Sequence, residues 1–398
     1  MAPNQTAERA DPAQRGFALW ALGFRPFYLG GALFAAAAML AWLAELDGHP
    51  LPSFHPYLPG VLWHAHEMVY GFAAAILAGF LLTAVRAWTG VTAAKGRSLA
   101  ALWLLWLAGR LAIAYCSPWL AIAVDIAFLP VCAVILLRVL VRVNNRHNIF
   151  LPIAIALLAA TNLAFHWSAL TGNIESALRS LYVAVGFLVV FVTIIGGRII
   201  PSFTVNAVPG HTVRSWPFVE STIAPLTLLP FLLDGFGVAG PVTALAAVVA
   251  ACLHALRIAG WRPLRVGPRP ILAILHIAYA WIVPGFVMLA VASLGVIVHS
   301  LAIHAFTVGV IGGAIIAMIT RTARGHTGRS LVAGPPDIVC YALIVVAAIV
   351  RAAVPALAPQ QTLAAIDLSG ACWITAFGLY FAGYVGWLTK PRLDGKEG

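Results

Sequence analysis

Apolar positions in this chain run in twelve blocks, near 27–46, 61–85, 98–115, 119–143, 149–170, 179–200, 217–234, 238–258, 271–293, 297–320, 336–355 and 363–388. A helix needs roughly 20 apolar residues to cross the hydrocarbon core of a bilayer. The pattern therefore predicts an all-α fold, a polytopic membrane helical bundle of about 12 transmembrane helices. Two boundaries are the least sharp: 217–234, interrupted by Pro225 and Pro230, and the short gap at 293–298. No stretch outside the blocks is long enough to bury a core of its own. The expected organisation is a single membrane domain over 25–390, with an N-terminal tail at 1–24 and a C-terminal tail at 391–398. The first 24 residues lack the charged start and short apolar core of a cleavable leader.

Composition agrees. Hydrophobic residues make up 62% of the 398 positions and charged residues 9%, against about 25% charged in soluble domains. The basic residues are placed unevenly. With the N-terminus inside, all 24 Lys and Arg except Arg110, Arg179 and Arg351 fall in inner segments. The positive-inside rule then expects an even helix count with both termini cytoplasmic. The net charge of +11 is an orientation signal and a match to anionic membrane lipid. Spread over many loops, it is no footprint for nucleic acid.

This topology gives the histidines a depth. His64, His66, His166, His299 and His304 are expected in outer turns, and His254, His276 and His326 towards the cytoplasm. The densest chemistry opens the second block, Trp63-His-Ala-His-Glu-Met68. Ionisable groups inside a bilayer are costly and mark function by default. At 100° per residue His64 shares a face with Glu67 and Met68, while His66 points away beside Tyr70. The two imidazoles thus suit different partners rather than one ion. Their ordinary alternative is an interfacial role beside Trp63. Glu67 argues against that, since a carboxylate this deep needs a partner or a proton role. It is the candidate proton relay. The tenth block opens with His299-Ser-Leu-Ala-Ile-His304. His304 shares its face with Thr307 and Val308, neither acidic, and is the better ligand candidate of the two. Gly309, Gly312 and Gly313 allow close approach of a neighbouring helix or a flat macrocycle.

Other signals are weaker. Arg198 precedes Pro201, expected to break the sixth helix, and Arg321, Arg324 and Arg329 follow the tenth. Arginines there anchor spans in lipid or bind an anion such as a haem propionate. Arg110 and Asp125 fall at one depth in adjacent helices and are expected to form a structural ion pair. Five single cysteines exclude zinc-ribbon, iron–sulfur and covalent haem motifs. Neither HExxH nor a P-loop occurs. Imidazole suits iron, copper and zinc, so residues alone lead to an intramembrane metal or proton site.

Phe24-Arg-Pro-Phe27, Trp63-His-Ala-His-Glu-Met68, Gly71-Phe72, Gly197-Arg198, Pro201-Ser-Phe-Thr204, Leu275-His276, Tyr279-Ala-Trp281, His304-Ala-Phe-Thr-Val-Gly309 and Gly325-His-Thr-Gly-Arg329 resemble the NnrS family. The resemblance runs in order from about residue 17 to 330, with the last two helices alike mainly in hydropathy. It implies a twelve-helix protein of the bacterial inner membrane containing haem, of b type, and copper. It also implies a role in nitric oxide metabolism and nitrosative-stress tolerance. The shared positions are His64, His66, Glu67, Arg198, His276, His304, Arg321, His326 and Arg329. His166, His254 and His299 gain no support and are set lower. The resemblance leads to metal ligands among His64, His66, His276, His304 and His326. An outer centre would use His64 or His66 with His304. A second, inner centre would use His276, with Arg198, Arg321 and Arg329 on propionates. Nitric oxide reduction would need electrons from a quinol or a partner protein. The competing class is a transporter or sensor for copper, haem or an anion.

Overall fold

A computed structural model describes residues 16–49, 56–238 and 240–396. Arg9 and Arg15, and most of the expected N-terminal tail, lie outside the described residues. The described residues form helices joined by loops, with no strand, and twelve of the helices are long and apolar enough to cross a membrane. They are α1 (Phe24–Leu46), α2 (Gly60–Thr89), α3 (Arg97–Tyr115), α4 (Pro118–Arg142), α5 (Arg146–Leu170) and α6 (Ile174–Ala207). The second half holds α7 (Pro217–Gly235), α8 (Pro241–Arg265), α9 (Pro270–Ser293), α10 (His299–His326), α11 (Pro335–Leu357) and α12 (Pro359–Leu388). The chain is a multi-pass membrane protein. Each apolar block became one span.

Two helices form the centre. Of the apolar windows of α2 and α10, 78% and 72% are buried, more than in any other span. The two histidine-bearing helices are therefore the innermost ones. Lipid offers no hydrophobic drive for helices to associate, so small residues and close packing must do it. A side chain on Gly309 would strike the indole of Trp281, and one on Gly312 that of Trp373. The glycines after His304 thus serve helix packing. The outward faces carry exposed Leu104, Leu111, Val134, Leu245 and Val248, suited to acyl chains.

Both central helices depart from α geometry at the same relative place. In α2 the turn widens to a π-helix over Glu67–Ala73, directly after His66. In α10 it does so over Ala305–Gly312, directly after His304. Such segments are rare and gather at functional sites. α4 is also interrupted, with one helical piece ending at Asp125 and the next starting at Phe128. The expected break at Pro201 does not occur: α6 runs through it to Ala207. A proline inside a helix costs the hydrogen bond to the carbonyl four residues earlier, here Gly197, and membrane helices tolerate it where neighbours pack closely. Arg257 of α8 packs over Gly197 and, one turn further back, donates to the Thr193 carbonyl at 2.8 Å.

Candidate functional site

Two residues apart on α2, His64 and His66 leave the helix on different sides, as expected, and enter different environments. His64 lines a cavity of about 340 Å³ bounded by α1, α2, α6, α10, α11 and α12. His304 lines it too, together with Met68, Arg351, Trp42 and Trp373. Thr307 and Val308, expected on the His304 face, are in the same wall.

The polar atoms of this cavity are only partly satisfied. His304 Nδ1 donates to the Ser300 carbonyl at 2.6 Å, which fixes the tautomer and leaves Nε2 as the base. Trp42 stacks on His64 with ring centroids 5.0 Å apart. His64 Nδ1 and the Trp373 indole nitrogen are buried with no hydrogen-bond partner. The Arg351 guanidinium, between helices at the wall, has no hydrogen-bond or ion-pair partner among the described residues. An unpaired cation in a largely apolar cavity is unfavourable unless an anion completes it.

His66 enters a second cluster, wholly buried between α2, α3, α4 and α5. Its Nδ1 is 2.9 Å from Glu67 Oε1. Its Nε2 is 3.0 Å from Asn162 Oδ1 and 3.3 Å from Asp125 Oδ2. His166 brings its Nε2 to 2.9 Å from the same Asp125 oxygen, while its Nδ1 meets the Tyr57 hydroxyl in a short hydrogen bond. The Asn162 amide donates to Asp125 Oδ2 at 2.7 Å. Arg110 ties the cluster together: Nη1 donates to Glu67 Oε1 and Oε2 at 2.7 and 2.8 Å, and Nη2 donates to Asp125 Oδ1. Gly109, one residue before Arg110, lets the Asp125 backbone come close, since a Cβ there would lie 3.3 Å from Asp125 Cα.

The expected ion pair of Arg110 and Asp125 forms, within a larger network. Glu67 corrects one expectation. It does not stay on the face of His64 and is not among the residues lining the cavity. The π-turn starts at Glu67, and the Arg110 guanidinium on the adjacent helix draws its carboxylate to the side of His66. His166 corrects another. It had been set lower, yet it is wholly buried and shares a carboxylate oxygen with His66. Asp125, Asn162 and Tyr57 also escaped the sequence reading as members of a shared site. The available signal was Asn162 and His166 at i and i+4 in an apolar block, which puts two polar groups on one helical face.

The remaining candidates have separate surroundings. His276 Nε2 meets the Thr204 hydroxyl at 3.0 Å, and its Nδ1 is buried without a partner. His326 ends α10 with its ring 5.4 Å from that of Phe24. Arg198 donates to Asn148 Oδ1 at 3.2 Å and lies at the same distance from His147 Nε2. Arg321 lies 4.0 Å over the Phe203 ring and Arg329 4.3 Å over Trp387. The three arginines are thus engaged one by one. His254 sits between Thr227 and Tyr279. His299 stacks on Tyr182 and stands 2.9 Å from Asp234.

Comparison with curated proteins finds no match. Comparison with family models matches residues 18–392 to the family described as NnrS protein. That range takes in all twelve helices, including α11 and α12, where the motifs had been thin. The match covers nearly the whole chain and agrees with the histidine-bearing helices at the centre of the fold, and the protein therefore belongs to the NnrS family.

Proposed function

We propose that this is a haem protein of nitric oxide metabolism in the bacterial inner membrane, capturing or reducing nitric oxide at a histidine-ligated centre. The reading rests on one observation. His64 and His304, from the two innermost helices, line the same cavity. The donor set fits haem. Nε2 of His304 is available as a base because Nδ1 is bound to Ser300. Buried His64 Nδ1 and Trp373 Nε1 lack partners, and the unpaired Arg351 suits a propionate carboxylate. Two imidazoles with Met68 would also accept copper, but an unneutralised guanidinium in the same cavity disfavours a bare cation. Copper, which the family resemblance implies, is better sought elsewhere in the chain.

When bound, the haem supplies the iron at which nitric oxide binds. The chain's own residues do the rest. His64 and His304 hold the group between two helices, Arg351 orients it, and Trp42 and Trp373 exclude water. A second, apolar cavity of about 100 Å³ shares Ala73, Leu188 and Ile311 with the first. Nitric oxide, apolar and concentrated in lipid, would reach the site that way. Electrons for reduction would come from a quinol or a partner protein. Orientation with both termini cytoplasmic, supported by the distribution of Lys and Arg, would put this centre near the outer side.

The test is an optical spectrum of the detergent-purified protein, oxidised, reduced, and reduced with nitric oxide, with iron and copper counted on the same sample. The expected result is a haem band that shifts with nitric oxide. A preparation without iron, after expression with haem supplied, would overturn the reading and favour a carrier.

A further inference from the structure

We infer that His66, Asp125 and His166 form a second metal site, for a divalent first-row transition ion. The site is separate from the His64–His304 cavity and does not depend on what occupies it. The first support is convergence. Nε2 of His66 and Nε2 of His166 approach one oxygen, Asp125 Oδ2, at 3.3 and 2.9 Å. The ligand atoms of the three residues all lie within 4.8 Å of one another. An ion with bonds of about 2.0–2.2 Å to nitrogen and oxygen spaces its ligands about 3.3 Å apart in a tetrahedron. The two spacings to Asp125 Oδ2, 3.3 and 2.9 Å, are of that size. Asn162 Oδ1, 3.0 Å from His66 Nε2, is a further oxygen donor beside the three.

The second support is the outer ring of contacts. Metal-bound histidines bind a carboxylate, carbonyl or other oxygen through the far ring nitrogen, which fixes tautomer and orientation. Both histidines here do so: His66 Nδ1 meets Glu67, and His166 Nδ1 meets the Tyr57 hydroxyl. The other oxygen of Asp125 is held by Arg110, which leaves Oδ2 as the single convergent atom. Four helices supply these groups, so the convergence is not a local accident of one turn.

The third support is charge. Glu67 and Asp125 bring two carboxylates against the one guanidinium of Arg110 in a wholly buried cluster. One more cationic centre completes the balance. With two imidazoles, a carboxylate and an amide oxygen, and no sulfur, the donor set suits a divalent ion of the copper(II), zinc(II) or iron(II) kind rather than a soft monovalent one.

The experiment uses the full-length protein in detergent, stripped with a chelator and titrated with zinc chloride or copper(II) chloride. Bound metal is counted by elemental analysis, and copper(II) is examined by electron paramagnetic resonance for nitrogen couplings. The expected result is one divalent ion per chain with imidazole couplings. Asp125→Asn and His166→Ala should abolish it, while His304→Ala leaves it in place. Should those variants fail to fold, Tyr57→Phe decides, with affinity expected to fall about 10–100-fold. The inference is overturned if the wild type takes up no ion. It is equally overturned if folded His166→Ala retains the ion, or if Tyr57→Phe binds as tightly as wild type. The haem spectrum of the same samples reports on the cavity independently, so failure of one reading is not confused with failure of the other.

Discussion

The imidazole of His304 is bound through Nδ1 to the carbonyl of Ser300, one turn earlier, at 2.6 Å. A helix whose last α-turn holds a histidine in this way presents the opposite nitrogen as a fixed base, and the following π-turn leaves the ring at the cavity wall.

From this, His304→Ala and His64→Ala should each lower haem content or convert the spectrum to that of a weaker ligand field. His276→Ala, away from the cavity, should leave the spectrum unchanged. Absorption and iron-to-protein ratio on purified variants provide the check.

Arg351 makes a prediction of opposite signs. Its guanidinium has no hydrogen-bond or ion-pair partner among the described residues, so Arg351→Gln removes an uncompensated cation and should leave the haem-free protein as stable as before or more so. A charge-assisted hydrogen bond contributes about 1.5–3 kcal/mol, so haem affinity should fall roughly tenfold to a hundredfold. Haem titration and thermal unfolding of the haem-free form separate the two effects.

Arg110 is the reverse case. Arg110→Met strands two buried carboxylates, Glu67 and Asp125, and breaking a buried pair on one side costs about 3–5 kcal/mol. Adding Glu67→Gln should recover part of that loss, because one of the stranded charges is gone. A double-mutant cycle of unfolding in detergent measures the coupling.

Gly312 and Gly313 differ by one position and should differ in outcome. A Cβ on Gly312 would lie 2.6 Å from Trp373, which lines the cavity, while one on Gly313 would meet Ala278 of α9 at 2.9 Å. Each substitution to Ala should destabilise the bundle by about 1–3 kcal/mol through overpacking. Gly312→Ala alone should also reduce haem content, since the indole has to move. Haem content normalised to folded protein distinguishes them.

Much of this architecture was legible in the chain. The spans were, because a bilayer demands long unbroken apolar runs, and Pro225 and Pro230 do not end α7. The divergence of His64 and His66 followed from helical spacing alone. Glu67 did not, because its direction is decided by a guanidinium on another helix and by a widened turn that no periodicity reveals. The partnership of Asp125 with His166 was hidden for a related reason: 41 residues separate them, and only the packing of α4 on α5 brings them together. Arg351 stood out only as one of three basic residues away from the inner segments, because the cavity it faces is assembled from six helices.

The widened turns in α2 and α10 also set what kind of change these helices tolerate. A π-turn is in effect an α-helix with one residue inserted, and each residue of an α-helix contributes about 100° of rotation. Deleting a single position within Glu67–Ala73 would let α2 close into a regular helix with its two halves still in phase, so the imidazoles would keep their separate directions. Deleting one in the regular turns after Ala73 would instead swing the half bearing His64 and His66 by about that angle against the half that stays packed. The same loss of one residue is thus absorbed in the widened turn and rearranges both chambers at once outside it.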